Sequence, residues 1–187
     1  SIASDPDDPS ALVLTIREVG DVTGALFNLK EGDEVGVRGP YGNSWPLDKA
    51  ERKRLLIVTG GCGCGTLRPV ILAQRNNPKK FKSLEVLHGA RTPGDIIYRK
   101  DYEKTWTEIP NTRILLSADT VPPGTSWNHT VGVVTTLFDK MITRPEDGIA
   151  LICGPEIMMK FAVIGLLKRG FLPEQIFCSM ERRMRCG

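Results

Sequence analysis

Apolar and polar positions alternate along "ALVLTIREV" (residues 11–19), the period of a strand with one face covered, and "GDEVGVRGPYGN" (residues 32–43) continues as a second short strand running into a Gly/Pro turn. Residues 1–48 are therefore expected to be antiparallel β. After the charged joint "DKAERKR" the pattern changes. "RLLIVTG", "SLEVLHGA", "TRILLSAD" and "GIALICG" are nearly continuous apolar runs, the mark of parallel strands covered on both faces. Between them "TLRPVILAQRN", "PGDIIYRKDYEKTW", "VVTTLFDKMI" and "PEIMMKFAVIGLLKRG" space their apolar residues as helices do. This alternation predicts an α/β doubly wound parallel-sheet domain over residues 53–177, with any ligand at the carboxyl ends of its strands.

Composition narrows the class. The chain has 187 residues, of which 41% are hydrophobic and 25% charged, with a net charge of +3. These values suit a globular chain and give no support to a nucleic-acid partner, so Lys79, Lys80 and Lys82 read as a solvated face. No apolar run approaches the roughly 20 residues that span a bilayer, and no signal-peptide pattern opens the chain. A cytoplasmic protein with no membrane span is expected. Five cysteines at irregular spacing argue against a disulfide framework, and on that reading the sequon at Asn128 is idle. The first residue is not Met and the last segment stops at "RRMRCG", as expected of an excerpt from a longer polypeptide.

The chemistry concentrates in "TGGCGCGT", residues 59–66, between the first buried strand and a helix. Gly60, Gly61, Gly63 and Gly65 allow a sharp turn whose N–H groups can approach an anion at a helix start. The spacing misses the dinucleotide fingerprint G-x-G-x-x-G, because Thr66 stands at its last position. The local pattern by itself fits a phosphate cradle and a plain strand-to-helix connection equally. A zinc knot on Cys62 and Cys64 lacks a matching second pair of ligands, and both are read as small buried side chains.

Taken with "SIAS", "GPYG", "CGPEIMM" and "ERRMRCG", this loop resembles the ferredoxin-NADP reductase superfamily, in its branch of flavin and iron-sulfur electron-transfer subunits. The resemblance covers almost the whole chain and implies a ferredoxin reductase-like fold: residues 1–48 as a partial FAD-binding antiparallel β-barrel, 53–177 as the NAD(P)-binding domain, and 178–187 as the start of a 2Fe-2S-binding segment. It implies that Ser1 and Ser4 lie in the flavin motif, whose usual Arg and aromatic are missing. Gly20 and Thr23 match the G-x-x-S/T that holds the flavin pyrophosphate. The glycines of residues 60–65 and Thr66 match the nicotinamide loop, with Gly65-Thr66 where Ala-Pro is usual. Arg91, after "HGA", is expected at the adenine ribose, able to contact a 2′-phosphate, while Asp119 after the next strand would oppose one, so that NAD and NADP both stay open.

"CGPEIMM" matches C-G-P-x-x-M, which implies Cys153 beside the nicotinamide as the catalytic thiol, with Gly154, Pro155 and Glu156 shaping the ring site. Cys186 matches the first of four cluster ligands. The implied activity is hydride exchange between NAD(P)H and FAD, with electrons passed to a 2Fe-2S cluster and on to an iron-sulfur or catalytic partner subunit of an oxidoreductase complex. The rival expectation is a nucleotide-binding or assembly module without a competent flavin, because 48 residues are too few for a complete barrel.

Overall fold

The computed structural model describes residues 1–39 and 41–180; Cys186, the expected cluster ligand, lies outside them. The four apolar runs form strands β1 (Arg54–Gly60), β2 (Ser83–Ala90), β3 (Thr112–Ala118) and β5 (Gly148–Cys153). Two short edge strands, β4 (Thr130–Val131) and β6 (Ile176–Cys178), complete a parallel sheet in the order β4-β3-β2-β1-β5-β6. The sheet carries a hydrophobic layer on each face, which is why its central strands have no polar alternation. One layer packs Leu55, Ile57, Val86 and Leu151 against Leu67 and Ile71 of α3 (Cys64–Asn76). The other packs Leu56, Val58, Ala150 and Ile152 against Ala162 and Leu166 of α4 (Glu156–Lys168).

Successive strands step from β1 outward to β4, and the chain then returns to the other side of β1 to place β5. The order therefore reverses between β1 and β5, and the crevice beyond their carboxyl ends is the place where such sheets bind ligands. Gly60 and Cys153 end the two strands that flank it.

Several expected elements take other forms. The helix expected from "PGDIIYRKDYEKTW" is a 3-10 turn at Pro93–Asp95 and a single π-turn at Asp101–Thr105. That expected from "VVTTLFDKMI" is a 3-10 helix, Val134–Lys140. Within residues 1–39 and 41–48 no barrel strands are present. Ile2 and Leu14 form an isolated antiparallel bridge, flanked by hydrogen bonds from Ala3 N to Val13 O and from Thr15 N to Ser1 O, both 2.8 Å. Helix α1 (Asp21–Phe27) follows, and a single turn, α2 (Leu47–Ala50), precedes the sheet. Val35 and Val37, read as strand residues, are exposed, because no neighbouring strand is there to pair with or cover them.

Candidate active site: the cleft at the strand ends

The glycine turn is shorter than its sequence suggests. Gly61–Gly63 make one 3-10 turn and α3 begins at Cys64, so Gly65 and Thr66 stand in the first helical turn. Each glycine has a distinct physical reason. Gly61 has φ +53, and a Cβ there would meet nothing within 4 Å; its cost to another residue is conformational, and its surroundings are open. Gly63 is needed for packing, since a Cβ would stand 2.3 Å from the Cys153 carbonyl oxygen. At Gly60 it would meet Met158 Sδ at 2.5 Å, and at Gly65 the Thr15 Cβ at 2.9 Å. Gly63 thus clamps the turn onto the β5–α4 junction, while Gly61 leaves main chain facing open space.

That space is a cleft of about 980 Å³. Gly60, Gly61 and Cys62 from the end of β1 and Gly89, Ala90 and Arg91 from the end of β2 line it, together with Asp119 beyond β3. Pro155, Ile157, Met158 and Phe161 of α4 and its cap form an apolar wall. Residues 15–18 and Phe27 close the cleft from the N-terminal segment. Of the residues singled out in the sequence, Gly60, Gly61, Cys62, Arg91, Asp119 and Pro155 line the cleft. Gly63, Gly65, Thr66, Cys153, Gly154 and Glu156 adjoin it through the turn and the β5–α4 junction without lining it. A smaller hollow of about 400 Å³ beside Tyr102 and Leu116 contains none of them.

Cys153 ends β5 almost fully buried, in register with Thr59 of β1, which in turn pairs with His88 of β2. Cys64 is buried too: its Sγ donates to Gly61 O at 3.1 Å, and burial pushes its thiol up to about 12. It is a neutral thiol that ties α3 to the glycine turn. Cys62, expected to be buried, is only half-buried, because it stands in the middle of the 3-10 turn that lines the cleft. Among the described residues no group of three His, Cys, Asp or Glu side chains is placed to hold a metal ion.

Ser1 and Ser4 are engaged within the N-terminal hairpin. Ser1 N donates to Thr15 O at 2.9 Å, and Ser4 Oγ accepts from Val13 N at 2.7 Å. Gly20 caps α1, and Thr23 Oγ1 accepts from the N–H groups of Val19 and Gly20 at 2.9 and 3.0 Å. The hairpin is moored to the sheet domain: Thr15 Oγ1 hydrogen-bonds the Tyr98 hydroxyl, and Arg68 donates to Ala3 O. Thr15 and Asp95 line the cleft without having been singled out in the sequence, whereas Met158 is the Met of the C-G-P-x-x-M match.

Residues 57–163 match the oxidoreductase NAD-binding domain family. The chain belongs to that family. It is 36% identical over 189 residues to the sulfhydrogenase 1 gamma subunit of Pyrococcus furiosus, an alignment covering 100% of this chain and 64% of that protein. It is 31% identical over 174 residues to the probable dihydroorotate dehydrogenase B (NAD(+)) electron transfer subunit of Methanocaldococcus jannaschii, covering 92% of this chain and 60% of that one. Among solved structures, the cytochrome b5 reductase domain of Ulva prolifera nitrate reductase superposes with a TM-score of 0.73 at 25% identity, over 95% of this chain and 69% of that chain. The fold is ferredoxin reductase-like, and the chain spans less than two thirds of the length of these two curated relatives.

The open main chain at Gly61, the helix start beside it and the size of the cleft fit the nicotinamide dinucleotide that the family's name implies. The fit to FAD is partial. The start of α1 is open, a Cβ on Gly20 meeting nothing within 4 Å, but the described residues build no barrel around a flavin ring.

Proposed function

We propose that the protein exchanges hydride between NAD(P)H and FAD and relays the electrons to a 2Fe-2S centre and a partner subunit. The observation that carries this reading is the Gly61–Gly63 turn, which opens onto the cleft at the sheet's switch point. In this reading the N–H groups of the turn and of the α3 start hold the dinucleotide's pyrophosphate, Arg91 and its neighbours hold the adenine ribose, and Gly154, Pro155 and Glu156 bound the nicotinamide. Cys153, at the end of β5, stands in this reading beside the nicotinamide and serves the hydride transfer. The apolar wall of Ile157, Met158 and Phe161 excludes water.

Ser1, Ser4, Gly20 and Thr23 contribute to FAD binding, with residues 1–48 as the flavin portion and 53–177 as the nucleotide domain. Bound FAD supplies an acceptor that takes a hydride and yields electrons singly. Cys186, outside the described residues, is the first cluster ligand of the 178–187 segment. The names of the two relatives, a sulfhydrogenase subunit and an electron transfer subunit, support a partner subunit in an oxidoreductase complex. A cytoplasmic setting accords with this reading.

The second reading, a nucleotide-binding or assembly module without a competent flavin, is favoured by the missing barrel strands among the described residues. A visible absorbance spectrum of the purified protein after incubation with FAD separates the two. Retained flavin that bleaches on anaerobic addition of NADH or NADPH is the expected result. A protein that binds nucleotide but retains no flavin supports the second reading and overturns the first.

A further inference from the structure

We infer that the end of the cleft beyond β2 and β3 selects NAD(H) over NADP(H), with Asp95 and Asp119 as the discriminating residues. The inference rests on the nucleotide reading of the cleft given above. In sheets of this kind the adenine ribose is read at the end of the second strand. Three charged side chains line that end: Arg91, Asp95 and Asp119. One positive group faces two negative ones. The cleft's other two charged residues, Arg17 and Glu18, are opposite in sign and leave that balance unchanged.

The placement of Asp95 makes the imbalance effective. Its Oδ2 accepts from Thr92 N at 3.0 Å and from Thr92 Oγ1 at 2.8 Å, a clamp that turns Oδ1 toward the Arg91 guanidinium, 3.9 Å from Nη2. The cation that a 2′-phosphate would use therefore already has a carboxylate beside it. Asp119 is held next to the same strand end, its N–H donating to Ala90 O at 2.9 Å. A 2′-phosphate brings nearly two further negative charges into this corner, against two fixed carboxylates. A ribose diol brings two O–H donors, which carboxylates accept. Arg91 is 76% exposed, so it is free to turn over the adenine or into solvent without losing a buried contact.

Calorimetric titration of the full chain with NAD+ and with NADP+ tests the assignment without any redox readout. NAD+ should bind at least about tenfold more tightly in dilute salt, and the preference should narrow as salt screens the carboxylates. Asp119→Asn, at an exposed position, should shrink the ratio several-fold while the protein stays folded. Equal or tighter binding of NADP+ by the wild type overturns the selectivity, an unchanged ratio in Asp119→Asn overturns its assignment to Asp119, and either result leaves the nucleotide reading standing. If neither dinucleotide binds, the nucleotide reading fails and the selectivity fails with it.

Discussion

His88 shows most clearly how one side chain ties this sheet to pH. It sits fully buried in β2, stacked on Tyr102 with ring centroids 4.8 Å apart, and neither ring nitrogen has a hydrogen-bond partner among the described residues. Burial disfavours the imidazolium and pushes its pKa down to about 3 from an ordinary 6.5. Between those values the unfolded chain binds a proton that the folded chain refuses. Stability is therefore full above pH 6.5 and is lost as pH falls toward 3, at up to about 1.4 kcal/mol per pH unit. His88→Phe, which keeps a ring against Tyr102, should flatten that slope. Urea unfolding of both proteins at about pH 7 and about pH 5 measures it. An equal loss of stability in the variant would assign the acid sensitivity to another group.

At the scale of elements, β2 and the segment after the Val134–Lys140 helix are joined by a buried carboxylate. Glu85 accepts from Thr143 N at 2.8 Å, Thr143 Oγ1 at 2.7 Å and Ile142 N at 3.0 Å, and it pairs with Arg113 of β3 at 2.9 Å. Removing it leaves two main-chain donors and the Thr143 hydroxyl without their acceptor, while Arg113 keeps its bond to Lys140 O and its exposure to water. Glu85→Ala should cost about 3–5 kcal/mol in denaturant unfolding, whereas Glu85→Gln, which keeps an acceptor, should cost less. Equal losses would mean that packing, rather than the polar cage, fixes this corner.

The same elements show what pattern can and cannot reveal. Runs such as "RLLIVTG" are legible because burial on both faces demands unbroken apolar residues, and α4 is legible through its long apolar spacing. β4 and β6 contribute only two and three residues, too few for any period to register. Residues 93–106 have helical spacing, but the chain winds as separate turns around Tyr102 and Trp106, whose edge-to-face contact at 4.7 Å anchors that face. The glycines at residues 60–65 were legible as a turn. Their division of labour was not, because Gly63's need comes from Cys153, ninety residues away in the chain.

At the scale of the molecule, the N-terminal segment and the sheet domain meet over the cleft. Thr15 touches both Tyr98 and the space beside Gly65, and residues 15–18 form one wall of the cleft while the strand ends form the other. Any ligand bound there is shared between the two parts, so ligand binding and the docking of the N-terminal segment are expected to reinforce each other. The turn at Gly61 is proposed as the cradle of the dinucleotide's pyrophosphate. In a crystal structure of the protein with NAD+, the pyrophosphate is expected against the main chain of residues 61–63, with the adenine ribose at Arg91 and Asp119. A nucleotide bound elsewhere, or a pyrophosphate that does not touch the turn, would contradict it.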